Sequence, residues 1–344
     1  MTRRINLALQ GGGAHGAFTW GVLDRLLQED DLEIAAISGT SAGAMNGAAL
    51  KSGFLAGGRA GARKTLDWLW QQIGATGADG ISAWMHAWLP EPGHVSRALE
   101  YSPAFAWSDM LGRMMSPYGW GPLYRNPLIP IVEQFDFGRV CAQDGPGFHV
   151  CATQVRDGKV RVFSGERITT QAIVASACLP TLFQAVEVED PETGNIEAFW
   201  DGGYTGNPAL FPLFEPALPP DIVVVNINPL HRDQLPRTPT EIQNRINEIS
   251  FNSSLLRELR AIDFVQRLQD AGTMDKDAMK RPLIHMISDD GLMNELSVAT
   301  KTVPVPSVIA QLKAAGRRAA GAFLRDHKAQ IGVEQSANLR AMFE

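Results

Sequence analysis

Cysteine is scarce in this chain: Cys141, Cys151 and Cys178 are the only three in 344 residues. The number is odd and no C-x-x-C spacing occurs, which argues against a disulfide framework or a zinc site and points to a reducing compartment. An excess of charge is lacking too, since a formal net charge of −6 is too mild to suggest a nucleic-acid partner. No stretch approaches the roughly 18 apolar residues of a membrane-spanning helix. The start, MTRRINLALQGGG, has two arginines but only about five apolar residues before its glycines, short of a signal peptide's apolar core. Internal repeats and low-complexity tracts are also absent. What remains is 45% hydrophobic and 20% charged, the balance of a soluble globular protein, expected in the cytoplasm. The length allows one large α/β domain or two smaller ones.

Apolar periodicity orders the N-terminal part. Ile5 to Leu9 reads as a strand, Ala14 to Gln28 as a helix with Phe18, Val22, Leu23, Leu26 and Leu27 at helical spacing, and Leu32 to Ser38 as a second strand. A helix of small residues follows, SAGAMNGAALKSGF. This β-α-β-α order predicts a three-layer α/β/α fold around a mainly parallel sheet. From about 74 to 124 the period breaks down in an irregular, partly helical insertion with Trp84, Trp88, Trp107, Trp120, Met114, Met115 and Tyr118. Such residues suit a cap over an acyl-chain pocket, a lipid-facing patch or a satellite core.

Further on, Asp157-Gly158 marks a hairpin turn, a helix is expected near Thr170 to Ala177, and Ile196 to Trp200 reads as a strand. DIVVVNINP (Asp221 to Pro229) has the continuous apolar character of a central strand buried on both faces. TPTE (Thr238 to Glu241) is a capping box with proline at the first helical position. It opens a long amphipathic helix expected to bury Ile242, Ile246, Ile249, Leu256, Leu259 and Ile262 on one face. A last strand spans Leu283 to Ser288 and a basic, alanine-rich helix Ser307 to about His327. We expect a catalytic α/β domain over 1–236 and a helical extension over 237–344 packed on it. The pattern of the 238–270 helix sets no oligomeric state. Lys313, Arg317, Arg318 and Arg325 on the last helix read as a solvated basic face, with attraction of anionic headgroups as the alternative.

Gly11-x-Gly13-x-x-Gly16, between a strand and a helix, matches the dinucleotide-binding fingerprint. That fingerprint needs an acid at the end of the second strand, and here the strand ends AISGTSAG. Its nearest acid, Glu33, is at the strand's beginning. What replaces the acid is Gly39-Thr40-Ser41-Ala42-Gly43, a G-x-S-x-G at a strand-to-helix junction. In that context a tight turn pushes the serine hydroxyl outward while the helix N-terminus favours negative charge. Loops after parallel neighbours open at the same sheet edge. The amides of Gly11, Gly12 and Gly13 are then expected beside Ser41 as an oxyanion hole.

A serine nucleophile needs a base. An α/β-hydrolase would follow its serine with an acid and then a histidine. His231, His285 and His327 lie late enough, but none sits in a distinctive loop, and only two strands precede Ser41. Asp201, in FWDGGYTGNPAL, ends an apolar strand beside a flexible turn. Partial desolvation there raises a carboxylate toward useful basicity.

GGGAHG, GTSAG and DGGYTGNP, in this order and spacing, resemble the patatin-like phospholipases and related lipid acyl hydrolases. AIVASACLPTLFQAVEV (Ala172 to Val188) is similar to the small-residue helix and proline turn ahead of that family's aspartate. The resemblance spans residues 5–215. RINEISFNSSLLRELRAI and SPYGWGPLYRNPL are similar to a bacterial branch with a C-terminal helical extension. The resemblance implies a Ser41–Asp201 dyad, an acyl-enzyme intermediate and no metal or cofactor. It implies a lipid or other ester substrate, with peripheral membrane contact compatible with it. His15 stands where the family usually has lysine or arginine, which puts a charge role at that position in doubt. A non-enzymatic lipid-binding or regulatory protein on the same scaffold is the competing reading.

Overall fold

The computed structural model describes residues 2–76, 92–103, 107, 116–233, 235–275 and 278–343. Its centre is an eight-stranded sheet of β1 (Arg3–Leu9), β2 (Leu32–Thr40), β3 (Gly147–Gln154), β4 (Val160–Ser164), β5 (Val186–Glu189), β6 (Ile196–Asp201), β7 (Asp221–Val225) and β8 (Leu283–Ile287). Across the sheet the order is β5-β6-β3-β2-β1-β7-β8, with β4 paired to β3. The strands β3-β2-β1-β7-β8 run parallel. The pairs of β3 with β4, β3 with β6 and β5 with β6 are antiparallel. The expectation of a mainly parallel sheet holds, with an antiparallel wing at one side.

Period-two alternation sorts the strand residues into two cores. Leu7, Leu9, Ile37, Val223, Val225 and Ile287 face the larger one. It is covered by α1 (Ala17–Leu26), α2 (Ala42–Thr76), α6 (Thr170–Ser176) and α10 (Pro306–His327). Ala8, Ala36, Ile222, Val224 and Ile284 face the smaller core with Leu255, Leu259 and Ile262 of α7 (Pro239–Asp270). Helices therefore lie on both faces of the sheet. The remaining helices are α3 (Pro92–Glu100), α4 (Ile129–Val132), α5 (Phe137–Val140), α8 (Asp290–Glu295) and α9 (Val298–Thr302).

Two glycines let α1 and α10 cross at close range. A β-carbon on Gly21 would stand 2.0 Å from the Lys313 carbonyl oxygen, and one on Gly316 2.0 Å from that of Phe18. Helix α10 is also tied down by its charges. Lys313 bonds Asp67 at 2.8 Å and lies 3.7 Å from the centre of the Trp20 ring, while Arg317 pairs with the buried Asp24. Arg325 pairs with Asp326, and Arg318 is exposed. The basic face is thus partly consumed in holding the helix to the body.

One sequence expectation changes in part. The capping box at Thr238 and Glu241 forms, and α7 buries Leu259 and Ile262 as expected, but not the N-terminal half of the predicted face. Ile242, Ile246 and Ile249 are 44%, 53% and 54% exposed. The buried face also carries Glu248, Asn252, Ser254 and Leu255, because this helix packs on a polar web as well as on apolar core. In the 74–124 stretch, Trp84, Trp88, Met114 and Met115 lie outside the described residues. The described part includes α3, whose Ser96 bonds Ser297 just ahead of α9.

Candidate active site

The register of β3 brings Ser41 and Asp201 together. β4 occupies one flank of β3 from His149 to Thr153. On the opposite flank β2 runs parallel and ends with Thr40 beside Cys151, while β6 runs antiparallel and ends with Asp201 beside Ala152. The two strands meet head-on at consecutive residues of their shared neighbour. Gly202 marks how closely: a β-carbon there would stand 2.2 Å from the Cys151 carbonyl oxygen and 2.9 Å from Thr40 Cγ2.

Ser41 follows β2 directly and has φ of 54°, the only positive value at a non-glycine residue among those described. A side-chain-bearing residue in the left-handed region costs on the order of 1 kcal/mol or more. The turn is held by close packing, since a β-carbon on Gly43 would lie 2.1 Å from the Leu9 carbonyl oxygen. On Gly39 it would meet the Gly43 carbonyl oxygen at 2.6 Å. The predicted elbow glycines are both positions where no side chain fits.

Asp201 is 2% exposed and Ser41 7%. Burial pushes the Asp201 carboxyl up to about 7, against the lowering effect of hydrogen bonds from the Gly203 amide and the Ser41 hydroxyl. The Gly203 N–H reaches Oδ1 at 2.7 Å. A carboxylate with that pKa accepts a proton near neutrality far better than a solvated one.

The C-terminal end of α6 and the residues just after it hold both residues. Ser176 Oγ accepts the Ser41 N–H at 2.8 Å and donates to the Cys151 carbonyl at 2.5 Å. Two residues on, the Cys178 carbonyl accepts the Asp201 N–H at 2.8 Å. Neither contact was read from the sequence, although both residues lie in the ASACLP stretch quoted above.

The glycine loop lies alongside. A β-carbon on Gly11 would stand 2.6 Å from Ser41 Cβ, so loop and elbow are in contact as expected. The three glycines nonetheless differ. The Gly11 N–H is committed to Asn207 Oδ1 at 2.6 Å, and its carbonyl accepts from Asn228 Nδ2 at 2.8 Å. Among the described residues neither Gly12 nor Gly13 N–H meets an acceptor. Gly13 has φ of 58° and is exposed. The loop amides left without an acceptor among the described residues are those of Gly12 and Gly13, with Gly11 as their anchor.

Behind the loop is a buried amide web that sequence reasoning missed. Gln10 Oε1 accepts the N–H groups of Ile227 and Asn228 at 2.8 and 3.1 Å. Asn207 also takes up Ser254 through its N–H, at 3.0 Å. The only sequence signal was the run of asparagines in NPAL and NINP.

The histidines stand elsewhere. His231 is exposed and paired with Asp233, His285 is buried with Asp221 and Ser336, and His327 bonds Gln330. His15 is buried and bonds Thr300 Oγ1 at 2.9 Å through Nε2, while its Nδ1 has no partner among the described residues. Burial, then Lys301 and Arg232, hold its pKa well below the usual histidine value. It is neutral at pH 7, which answers the question raised by its place in the loop.

No curated protein sequence matches the chain. Among solved structures, the crystal structure of VipD from Legionella pneumophila is similar at 13% identity and a TM-score of 0.43, covering 95% of this chain and 67% of that one. The family model for patatin-like phospholipase matches residues 7–214, a span that contains the glycine loop, the elbow and Asp201. The chain belongs to the patatin-like phospholipase family.

Proposed function

We propose that this protein is a serine acyl hydrolase that cleaves carboxylic esters of lipids, of the phospholipase A, lysophospholipase or lipase type, by a Ser41–Asp201 dyad. Family membership supports lipid ester hydrolysis in general. The observation that carries the dyad is that β2 and β6 end at adjacent residues of β3, which sets Ser41 beside a buried carboxylate whose pKa is pushed up to about 7.

Asp201 accepts the Ser41 proton as Oγ attacks the ester carbonyl carbon. The carbonyl electron pair moves onto oxygen, and the N–H groups of Gly12 and Gly13 receive the developing charge. Collapse of the tetrahedral intermediate breaks the acyl–oxygen bond, and the proton held by Asp201 passes to the leaving alcohol. Water then repeats the sequence on the acyl-enzyme: Asp201 takes its proton, the hydroxide adds to the acyl carbon, and Ser41 leaves with the proton returned. The positive φ of Ser41 is that of the tight turn by which such elbows present a serine hydroxyl.

A fluorophosphonate probe and a panel of phospholipids, glycerides and aryl esters of graded chain length test this. Wild-type protein is expected to be labelled at Ser41 and to hydrolyse members of the panel. Ser41→Ala is expected to lose labelling and at least ~10³-fold in kcat. Undiminished hydrolysis by Ser41→Ala overturns the reading. Wild-type protein that binds fatty acid but turns over no ester favours the non-enzymatic alternative. Among the described residues no helix is long and apolar enough to cross a membrane.

A further inference from the structure

We propose that Lys301, on α9, is a positioning residue that holds the glycine loop through Asn228 and places an excess positive charge behind its oxyanion donors. The proposal rests on the reading of Gly12 and Gly13 as those donors. Lys301 lies outside the 7–214 span that defines the family, so this part of the site is supplied by the C-terminal segment.

Three contacts tie Lys301 to the loop. Its carbonyl oxygen presses on Gly13, where a β-carbon would come within 2.3 Å. Its Nζ donates to Asn228 Oδ1 at 3.0 Å. Asn228 Nδ2 in turn donates to the Gly11 carbonyl at 2.8 Å. Lysine, asparagine and loop form one hydrogen-bonded chain, with Asn228 fully buried.

The charge balance beside that chain is uneven. The carboxylate facing Lys301 is Glu248 on α7, with Oε1 3.8 Å from Nζ. Glu248 is already held by both arms of Arg232, at 2.7 and 2.8 Å, and approached by Arg245 at 3.3 Å. One carboxylate lies within ion-pairing distance of three cations, with Glu100 on α3 coupled to Arg232 at longer range. The titratable group of the loop itself, His15, is neutral and adds no charge of either sign. In a buried setting uncompensated positive charge favours an anion forming nearby. Burial lowers the pKa of Lys301 below the ordinary lysine value, with Glu248 opposing and Arg232 adding to the effect. Its charge is therefore lost at a lower pH than a free lysine's.

The test is the pH dependence of kcat and KM on a soluble aryl ester for wild type, Lys301→Gln and Lys301→Arg, with thermal unfolding of each. Wild type is expected to lose kcat on an alkaline limb as Lys301 deprotonates. Tyr204 and Cys178, both pushed up to about 12 chiefly by burial, ionise too late to set that limb. Lys301→Gln keeps a donor for Asn228 but no charge, and is expected to lose ~10–100-fold in kcat with KM little changed and no alkaline limb. Lys301→Arg keeps a charge that does not titrate, so the limb disappears while activity is retained. An alkaline limb at the wild-type pH in Lys301→Arg, or wild-type kcat in Lys301→Gln, overturns the proposal. If Lys301→Gln does not fold, the Lys301→Arg profile decides alone. Wild type that neither hydrolyses an ester nor takes the fluorophosphonate overturns the parent reading as well, whereas an active wild type with unaffected variants overturns this inference only.

Discussion

The two edges of the sheet each carry a serine and an aspartate in a buried polar cluster, and one of them looks more like a catalytic triad than the other. At the amino end of β7 and β8, His285 Nε2 lies 3.0 Å from Asp221 Oδ1, and its Nδ1 lies 2.9 Å from Ser336 Oγ. All three residue types of a Ser-His-Asp hydrolase are present. Yet every group is spoken for. The Ser336 N–H donates to His285 Nδ1 and the Gly332 N–H to Asp221 Oδ1. The same segment continues with Ala337 bonded to the Ile284 carbonyl and Leu339 buried in the smaller core. This cluster is a clasp for the C-terminal tail.

At the carboxyl edge the pairing is incomplete by design of the strand ends. Ser41 sits in a strained conformation, Asp201 is desolvated, and two loop amides lack acceptors among the described residues. The contrast teaches that the proposed site is marked by stored strain and unpaired polarity, while the inventory of residue types is secondary.

The comparison breaks most visibly at Asp201. Asp201→Asn cannot take the Ser41 proton, and kcat is expected to fall by ~10³-fold or more. The same substitution is expected to stabilise the fold at alkaline pH. Asp201 has a folded pKa near 7, above the ordinary carboxylate value, so ionisation costs stability as pH rises through that interval. Unfolding midpoints of wild type and variant should therefore coincide near pH 4, diverge as pH rises from there to about 7, and stay apart above it. A variant no more stable at pH 8 than at pH 4, relative to wild type, would show that Asp201 is not desolvated as described.

A smaller effect is expected in the wild-type acid limb. Since the base form of Asp201 is needed, log kcat/KM should climb with unit slope below about 7 and level above it. Glu258, also pushed up to about 7 by burial, accepts the Leu210 and Phe211 amides and titrates in the same range. A Glu258→Gln control separates the two: the limb should persist in it.

The smallest effect belongs to the clasp. Ser336→Ala should leave ester hydrolysis and probe labelling unchanged and lower stability by about 1 kcal/mol in denaturant titration. Loss of labelling in Ser336→Ala would mean that the wrong edge had been taken for the site.

Much of this was legible before the structure. The strand and helix spans from Ile5 to Leu50 are set by local periodicity, and the elbow was read from its glycines together with the glycine loop expected beside it. The α7 capping box was read correctly, because four adjacent residues make it. Of the face that α7 buries, Leu259 and Ile262 were read but the half around Ile242 to Ile249 was not, because Glu248, Asn252 and Ser254 are held by partners from distant loops, and a periodicity of apolar residues does not register polar burial. Likewise Gly11 appeared equal to Gly12 and Gly13 until Asn207, nearly two hundred residues later, took its N–H.

By itself the sequence determined the first strands and helices, the capping box and the tight serine turn, since each depends on neighbours within a few residues. Tertiary structure alone decided that a strand from one direction and a strand from the other would end at adjacent residues of β3, and that α9 would seat a lysine behind the glycine loop. Those are matters of register and long-range pairing, where the energy lies in contacts between residues that no local pattern connects.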